Sequence, residues 1–429
     1  MKLDRAELGR PKAPIRIVHI GLGAFHRAHQ AWYTAQADTR NEWGIAAFTG
    51  RTSVAADKLT SQDCLYTVIT RAADGDTTSI ISSISEAYDG NDNAQFTDSI
   101  AQGEVAIVTL TITEAGYTAD ENSAISKLVR ALENRRIQNG NPIAIVPCDN
   151  IAGNGKLIRG LIDQIASEYS AESQAWFTSS VSVVSTSVDR ITPATTQEDI
   201  DLLLNRYGYI DASPVVTEPF ASWVLEGEFP LGRPEWELAG AKFVDDISVY
   251  ESRKLWFLNG AHSLLAYAGL THGYSTVAEA ISDANILSLV EKFWAEAEEA
   301  STEVGAELNE YKVALLERFR NPRIAHRLDQ IAVDGGIKLR QRVAPIVAIR
   351  SKAGLTSSAA ASLIAYWIAF VTRTSDLKDS LHLEISAALE GSHPTSSLLS
   401  VIDPDLAKNQ EFASLVQEYL ATLLTTMKG

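Results

Sequence analysis

The sequence predicts an α/β protein, with an N-terminal Rossmann-type doubly wound domain and a mainly α-helical C-terminal domain. Three observations carry that prediction. Short β-branched apolar runs alternate with helical or loop stretches through the N-terminal part. A Gly-x-Gly turn follows the first of those runs. Beyond about residue 248, long helical periodicities replace the strand-like runs. A domain boundary is therefore expected near 247, giving a dinucleotide-binding domain over 1–247 and a helical substrate and catalytic domain over 248–429.

The expected strands, in order, are IRIVHI (15–20), WGIAAF (43–48), LYTVITR (65–71), VAIVTLTIT (105–113), PIAIVPC (142–148) and VSVVSTS (181–187). Several are near-continuous apolar runs, which suits parallel strands covered on both faces. Helical periodicity marks 251–269, 283–301, 305–319, 356–372 and 410–427.

Gly21 and Gly23 stand directly after the first expected strand and before a helical pattern. In that setting the first glycine permits a tight turn and the second lets a pyrophosphate approach the backbone, with Ala24 and Phe25 opening the helix behind it. The third position of the fingerprint is His26 rather than a small residue, so the motif is incomplete. His26 and His29 have a spacing that can hold metal, but no third ligand follows at a recognisable distance, and polar helix-face residues near a cofactor are the expectation. No acid closes the second strand to hold a ribose hydroxyl. Arg51 stands there instead, suited to a 2′-phosphate, which would favour NADP, or to stacking on adenine, so these residues leave the choice open between NAD, the cofactor expected, and NADP.

Bulk composition bounds the partners. A formal net charge of −17 argues against nucleic acid and anionic membrane surfaces, while a local cationic pocket can still take a small anion. Cys64 and Cys148 form no CxxC pair, which speaks against a disulfide framework and a cysteine-rich zinc site. The start MKLDRAELGR lacks an apolar signal core, and the run Ala359 to Val371 is too short to span a bilayer, so a cytoplasmic protein is expected.

The stretch ESRKLWFLNGAHSLLAYAG (251–269) is as apolar as a buried helix, yet carries Lys254, Asn259 and His262. On a regular helix, with Lys254 at zero, Glu251 falls at about 60°, His262 at about 80° and Asn259 at about 140°. Such a trio suits oxidation of a secondary alcohol. Lysine would be the general base, Asn259 and His262 would donate hydrogen bonds to the reacting oxygen, and Glu251 would carry the proton to solvent. The structural alternative is a snorkelling lysine, an Asn-Gly break and a satisfied core histidine. Tyr250-x3-Lys254 also matches the short-chain dehydrogenase pair, but it opens the second domain, and the match is read as coincidence.

Taken together, GLGAFHRAHQAWYT, QDCLYTV, LTITEAGY, PCDNIAGNG, VDRITPATT, the long TEPFASW…VDDI stretch, YESRKLWFLNGAHSLLAYAG and ERFRNPRIAHR resemble the polyol-specific long-chain (mannitol) dehydrogenases. Lys-x4-Asn-x2-His is that family's catalytic signature. The resemblance implies metal-independent hydride transfer, an active site between the two domains, and a monomer or weak oligomer. It implies Lys254 as base, Asn259 and His262 at the reacting oxygen, Glu251 at the proton exit, and Asn150 and Asp189 at the substrate. By position alone, Asp189 could equally form a salt bridge with Arg190. The segment 326–342 is nearest the fructuronate reductase (D-mannonate oxidoreductase) branch, although Gly336 and Arg340 replace its Ser and Pro. Arg327 or Lys338 could bind a substrate carboxylate there, or pair with surface acids. The implied substrate is an acyclic polyol or aldonate: mannonate/fructuronate or mannitol/fructose, with arabinitol or another pentitol or hexitol as the alternative. In a different class, the chain could be a non-catalytic dinucleotide sensor.

Overall fold

The computed structural model describes residues 2–303 and 305–426; position 427, at the end of the last expected helix, lies outside them. The chain separates into two compact units, Met1–Ile247 and Ser248–Gly429.

The first unit is built on a parallel sheet of six strands: β1 Ile15–Ile20, β2 Gly44–Phe48, β3 Ile84–Tyr88, β4 Ile107–Leu110, β5 Ile143–Pro147 and β6 Val181–Val183. Their spatial order is 3-2-1-4-5-6, the doubly wound arrangement, with its reversal between β1 and β4. Successive residues of each central strand enter opposite cores. Ile17, Ile45, Ile107 and Ala144 face one, while Val18, Ala46, Val108 and Ile145 face the other. That two-sided burial is why these strands read as unbroken apolar runs.

The remaining strands form two small sheets. Tyr66–Ala72 pairs antiparallel with Gly75–Ile81 and parallel with Val215–Thr217. Ser185–Asp189 pairs antiparallel with Ser222–Glu226, which also takes Lys242–Phe243. Two expectations are corrected here. The run 181–187 is not one strand: it leaves the large sheet at Val184 and joins another. The run 105–113 stops at Leu110 because the Ile112 and Thr113 amides bond the Asp149 carboxylate at 3.0 and 2.8 Å, instead of a neighbouring strand.

The second unit is helical, and its described residues form no named strand. Two apolar helices run through its core. Ala261–Thr271 buries Leu264, Leu265 and Tyr267, and Ser358–Arg373 buries Leu363, Ile364 and Trp367. The apolar run near 359–371 is thus a core helix. Among the described residues no helix is long and apolar enough to cross a membrane. Capping residues fix the helix starts, as with the Thr276–Glu279 capping box and Asp283 at the head of Ala284–Ala300.

Candidate active site

In the first unit, the carboxyl ends of β1 to β4 surround a cavity of about 660 Å³. Its lining includes Gly21 and Leu22 after β1, Thr49 to Arg51 after β2, Gly90 after β3, and Thr111 to Thr113 after β4. This is where open α/β sheets bind ligands. Gly21 makes the turn possible: its φ is +102°, and a Cβ there would lie 2.0 Å from the Thr111 carbonyl oxygen. A Cβ on Gly90 would lie 1.8 Å from the Thr49 carbonyl oxygen. At Gly23 a Cβ would meet nothing nearer than 3.6 Å, so space stays open over that backbone. The cradle therefore fits a dinucleotide. Arg51 and Lys127 line it, and among the described residues no carboxylate does. Gly23, Ala24 and Phe25 are not among the lining residues. Ala24 opens the short helix Ala24–Ala28, and the Phe25 ring stacks on His29.

The incomplete fingerprint has a packing explanation. His26 is fully buried, and its ring lies against His19 of β1, centroids 3.3 Å apart and nearly parallel. Helix and strand thus meet through two imidazoles rather than over a third glycine. His29 is also buried and bonds the Ser222 carbonyl oxygen at 2.9 Å. The expected polar helix-face residues are instead core residues. Among the described residues no three His, Cys, Asp or Glu side chains stand together as a metal site.

Asn150 follows β5 and is exposed, and Asp189 ends the strand Ser185–Asp189, half-buried. Arg190 does not turn to Asp189. Its guanidinium donates to the carbonyls of Ala28 at 2.6 Å and Glu218 at 3.3 Å and lies over Trp32. Sequence reasoning passed over Asp149, whose carboxylate takes the Ile112 and Thr113 amides and the Tyr117 hydroxyl. It fixes the loop lining the cavity and holds Thr113 at a φ of +62°. The only signal was its place beside Asn150.

In the second unit, Glu251, Lys254, Asn259 and His262 lie on one continuous helical segment, but that segment is not regular. Ser248–Arg253 is α-helical, Lys254–Gly260 is a π-helix, and Ala261–Thr271 is α-helical again. The regular helical wheel therefore misplaces Asn259. In a π turn, residues five apart stand one above the other, which returns Asn259 toward Lys254. Gly260 does not break the helix; it keeps helical angles, with φ −63°. Trp256, Phe257 and Leu258 anchor the segment in the core.

His262 is 8% exposed, and its Nε2 has no hydrogen-bond partner among the described residues. Its ring packs against Phe319 and edge-on to His326. Burial holds its pKa well below 6.5, helped by His326, Arg318, Arg342 and Lys338. The imidazole is thus neutral near pH 7, with a buried nitrogen that bonds no other group among the described residues. Tyr250 lies beneath the guanidinium of Arg253, which also pairs with Glu303 and Glu307.

Lys338 is partly buried, and its Nζ donates to the Ile331 carbonyl at 3.0 Å. Burial and the neighbouring Arg342 charge lower its pKa. Arg327 is exposed and makes a two-pronged pair with Asp329, at 3.0 and 2.7 Å. Arg340, which stands where the fructuronate reductase branch has Pro, donates to the carbonyls of Val401 and Ile402.

Residues 15–238 match the profile of the mannitol dehydrogenase Rossmann domain, and residues 246–424 match that of the mannitol dehydrogenase C-terminal domain. The chain belongs to the mannitol dehydrogenase family. It is an oxidoreductase of that family, as expected from its motifs. It is 34% identical to a D-mannonate oxidoreductase of Escherichia coli K12, over 94% of this chain and 91% of that one. It is 35% identical to a mannitol 2-dehydrogenase of Emericella nidulans, over 77% and 73%. Among solved structures, the mannitol 2-dehydrogenase of Pseudomonas fluorescens, in ternary complex with NAD and D-mannitol, matches with a TM-score of 0.81 and 29% identity. That match covers 100% of this chain and 99% of the other.

Proposed function

We propose that this mannitol dehydrogenase family member is an NAD-dependent dehydrogenase interconverting D-mannonate and D-fructuronate, with Lys254 as general base. The observation that carries the reading is the neutral, buried His262, its Nε2 unpartnered, on one π-to-α helical segment with Lys254 and Asn259.

In the oxidative direction, the Lys254 amine takes the proton from the substrate hydroxyl. The Asn259 carboxamide and His262 Nε2–H donate to the same oxygen as it becomes a carbonyl. A neutral imidazole serves this better than a charged one, because it donates without giving up its proton to the alkoxide. Glu251, three residues before Lys254, passes the proton onward. Bound NAD supplies the acceptor for the hydride leaving the carbinol carbon. Gly21, Gly23 and the residues after β2 and β4 hold that cofactor, while Asn150 and Asp189 take hydrogen bonds from substrate hydroxyls.

The sugar acid is preferred over the polyol because Lys338, Arg342 and Arg318 all act electrostatically on His262. A carboxylate end suits that field, and a neutral hexitol gains little from it. We assign the carboxylate contact to Lys338 rather than Arg327, whose donors already serve Asp329. The second reading, mannitol/fructose, is supported by the likeness to the P. fluorescens enzyme over the full chain.

Initial rates with NAD and NADP on D-mannonate, D-altronate, D-mannitol, D-arabinitol and D-sorbitol test this. The expected result is the highest kcat/KM with NAD and D-mannonate. A higher value for mannitol would move the assignment to the polyol, and no turnover on any substrate would leave a dinucleotide-binding sensor.

A further inference from the structure

The π turn Lys254–Gly260 is held from outside at two backbone carbonyls. Trp294 Nε1 donates to the Phe257 carbonyl at 2.8 Å. Arg342 Nη1 donates to the Asn259 carbonyl at 3.1 Å and to the Ser263 hydroxyl at 2.9 Å. A widened turn displaces carbonyls from their usual helical partners, and buried carbonyls need donors from elsewhere.

The two donors differ in kind. At Phe257 a neutral indole suffices. At Asn259 the donor is a guanidinium whose Nε is sealed from solvent without a hydrogen-bond partner. Among the described residues no carboxylate pairs with Arg342. Burial pulls its pKa down to about 10. A half-buried cation with no counter-ion costs stability that a neutral donor would not. Satisfying a carbonyl does not by itself account for a charge here.

The position does. Arg342 grips the chain on both sides of Gly260, at Asn259 and at Ser263, the residue following His262. We propose that Arg342 is a positioning residue for the reaction: it fixes the Asn259 backbone within the π turn, so that the Asn259 carboxamide and His262 reach one substrate oxygen together. Its charge polarises the Asn259 peptide and adds to the field felt by the developing oxyanion. The helix Gly335–Arg342 thereby serves the site twice, through Lys338 and, one turn later, through Arg342.

This inference rests on the reading of Asn259 as a donor to the reacting oxygen, and a double-mutant cycle separates the two. Arg342→Gln and Arg342→Lys are made in the native chain and in Asn259→Ala. For each, kcat and KM are measured on the best substrate, with thermal unfolding and NADH fluorescence titration as controls. Arg342→Gln is expected to lower kcat about 100-fold, as for a misplaced catalytic group, with NADH binding little changed and KM for an anionic substrate raised by less than kcat falls. Arg342→Lys, keeping the charge and a donor, is expected to recover to within about tenfold of native. In Asn259→Ala, both substitutions are expected to lower kcat much less than in the native chain, by about tenfold at most, because the carboxamide they position is gone and only the alignment of His262 and the field on the oxyanion are left.

Full multiplicative losses in both backgrounds would overturn the positioning role while leaving the function reading intact. A loss confined to KM for the aldonate would overturn it by making Arg342 a substrate contact. If Asn259→Ala alone leaves kcat unchanged, the assignment of Asn259 falls, and the inference with it. Should the glutamine variant fail to fold, the lysine variant carries the same cycle.

Discussion

At the scale of single residues, the buried histidines show how one side-chain type takes different roles by environment. His19 bridges β1 to β4, bonding Thr109 Oγ1 at 2.8 Å and Thr111 Oγ1 at 3.1 Å while stacking on His26. Burial takes its pKa from 6.5 down to about 3, and that of His26 falls well below 6.5. Both stay neutral in the folded chain and protonate near 6.5 once unfolded. The unfolded state therefore binds more protons below that pH. The stability this pair provides is fully present above about 6.5 and is lost as pH falls toward 3. His19→Asn is expected to lower the melting temperature at pH 7.5 and to flatten its fall between pH 6.5 and 4. Parallel melting curves for variant and native protein across that range would contradict the assignment. The sequence puts His19 in an apolar strand, but the burial of His26 was not legible, because nothing in a short polar-rich helix start distinguishes a stacked core residue from a solvated face.

At the scale of elements, the most consequential one is the π turn. It escaped the sequence because nothing in KLWFLNG distinguishes a widened turn from a regular helix or an Asn-Gly break, and the residues that contact it, Trp294, Arg342 and Phe293, are distant in sequence. Gly260 permits the approach: a Cβ there would lie 2.6 Å from Phe293 Cε1 and 2.9 Å from Cζ. Gly260→Ala is expected to destabilise the protein by about 1–3 kcal/mol through overpacking. It should also lower kcat, since Gly260 directly follows Asn259 in the π turn and any shift of its backbone moves that residue. Denaturant unfolding and steady-state rates measure both, and an unchanged kcat would detach the turn from catalysis. The parallel strands were legible because two-sided burial writes itself as apolar runs: IRIVHI is β1 to the residue. The edge strand Ile84–Tyr88 and the hairpin strand Gly75–Ile81 were not, since ISEAY and GDTTSII carry polar residues and only partial burial.

At the scale of the whole molecule, each of the two units is built on its own apolar cores, in a chain whose net charge is −17. Against that background, the cations near His262 form a local field of opposite sign, which long-range repulsion of an anionic substrate does not cancel at short range. The glycine turn, the Lys-Asn-His spacing and the domain-sized change of texture at about 247 were all legible because they depend on local chemistry. The partners of Arg342, Arg190 and Asp149 were not, because each contact joins residues distant in sequence.

The central claim is that Lys254 is the base of a cofactor-dependent oxidation. The most direct measurement is kcat/KM for NAD-dependent oxidation of D-mannonate by Lys254→Ala against the native chain, with NADH binding measured on both. The predicted result is a loss of about 100-fold or more, roughly 2.7 kcal/mol of transition-state stabilisation, with NADH bound as tightly as before. A Lys254→Ala enzyme within about threefold of native activity, or native activity abolished only by Tyr250→Phe, would contradict it.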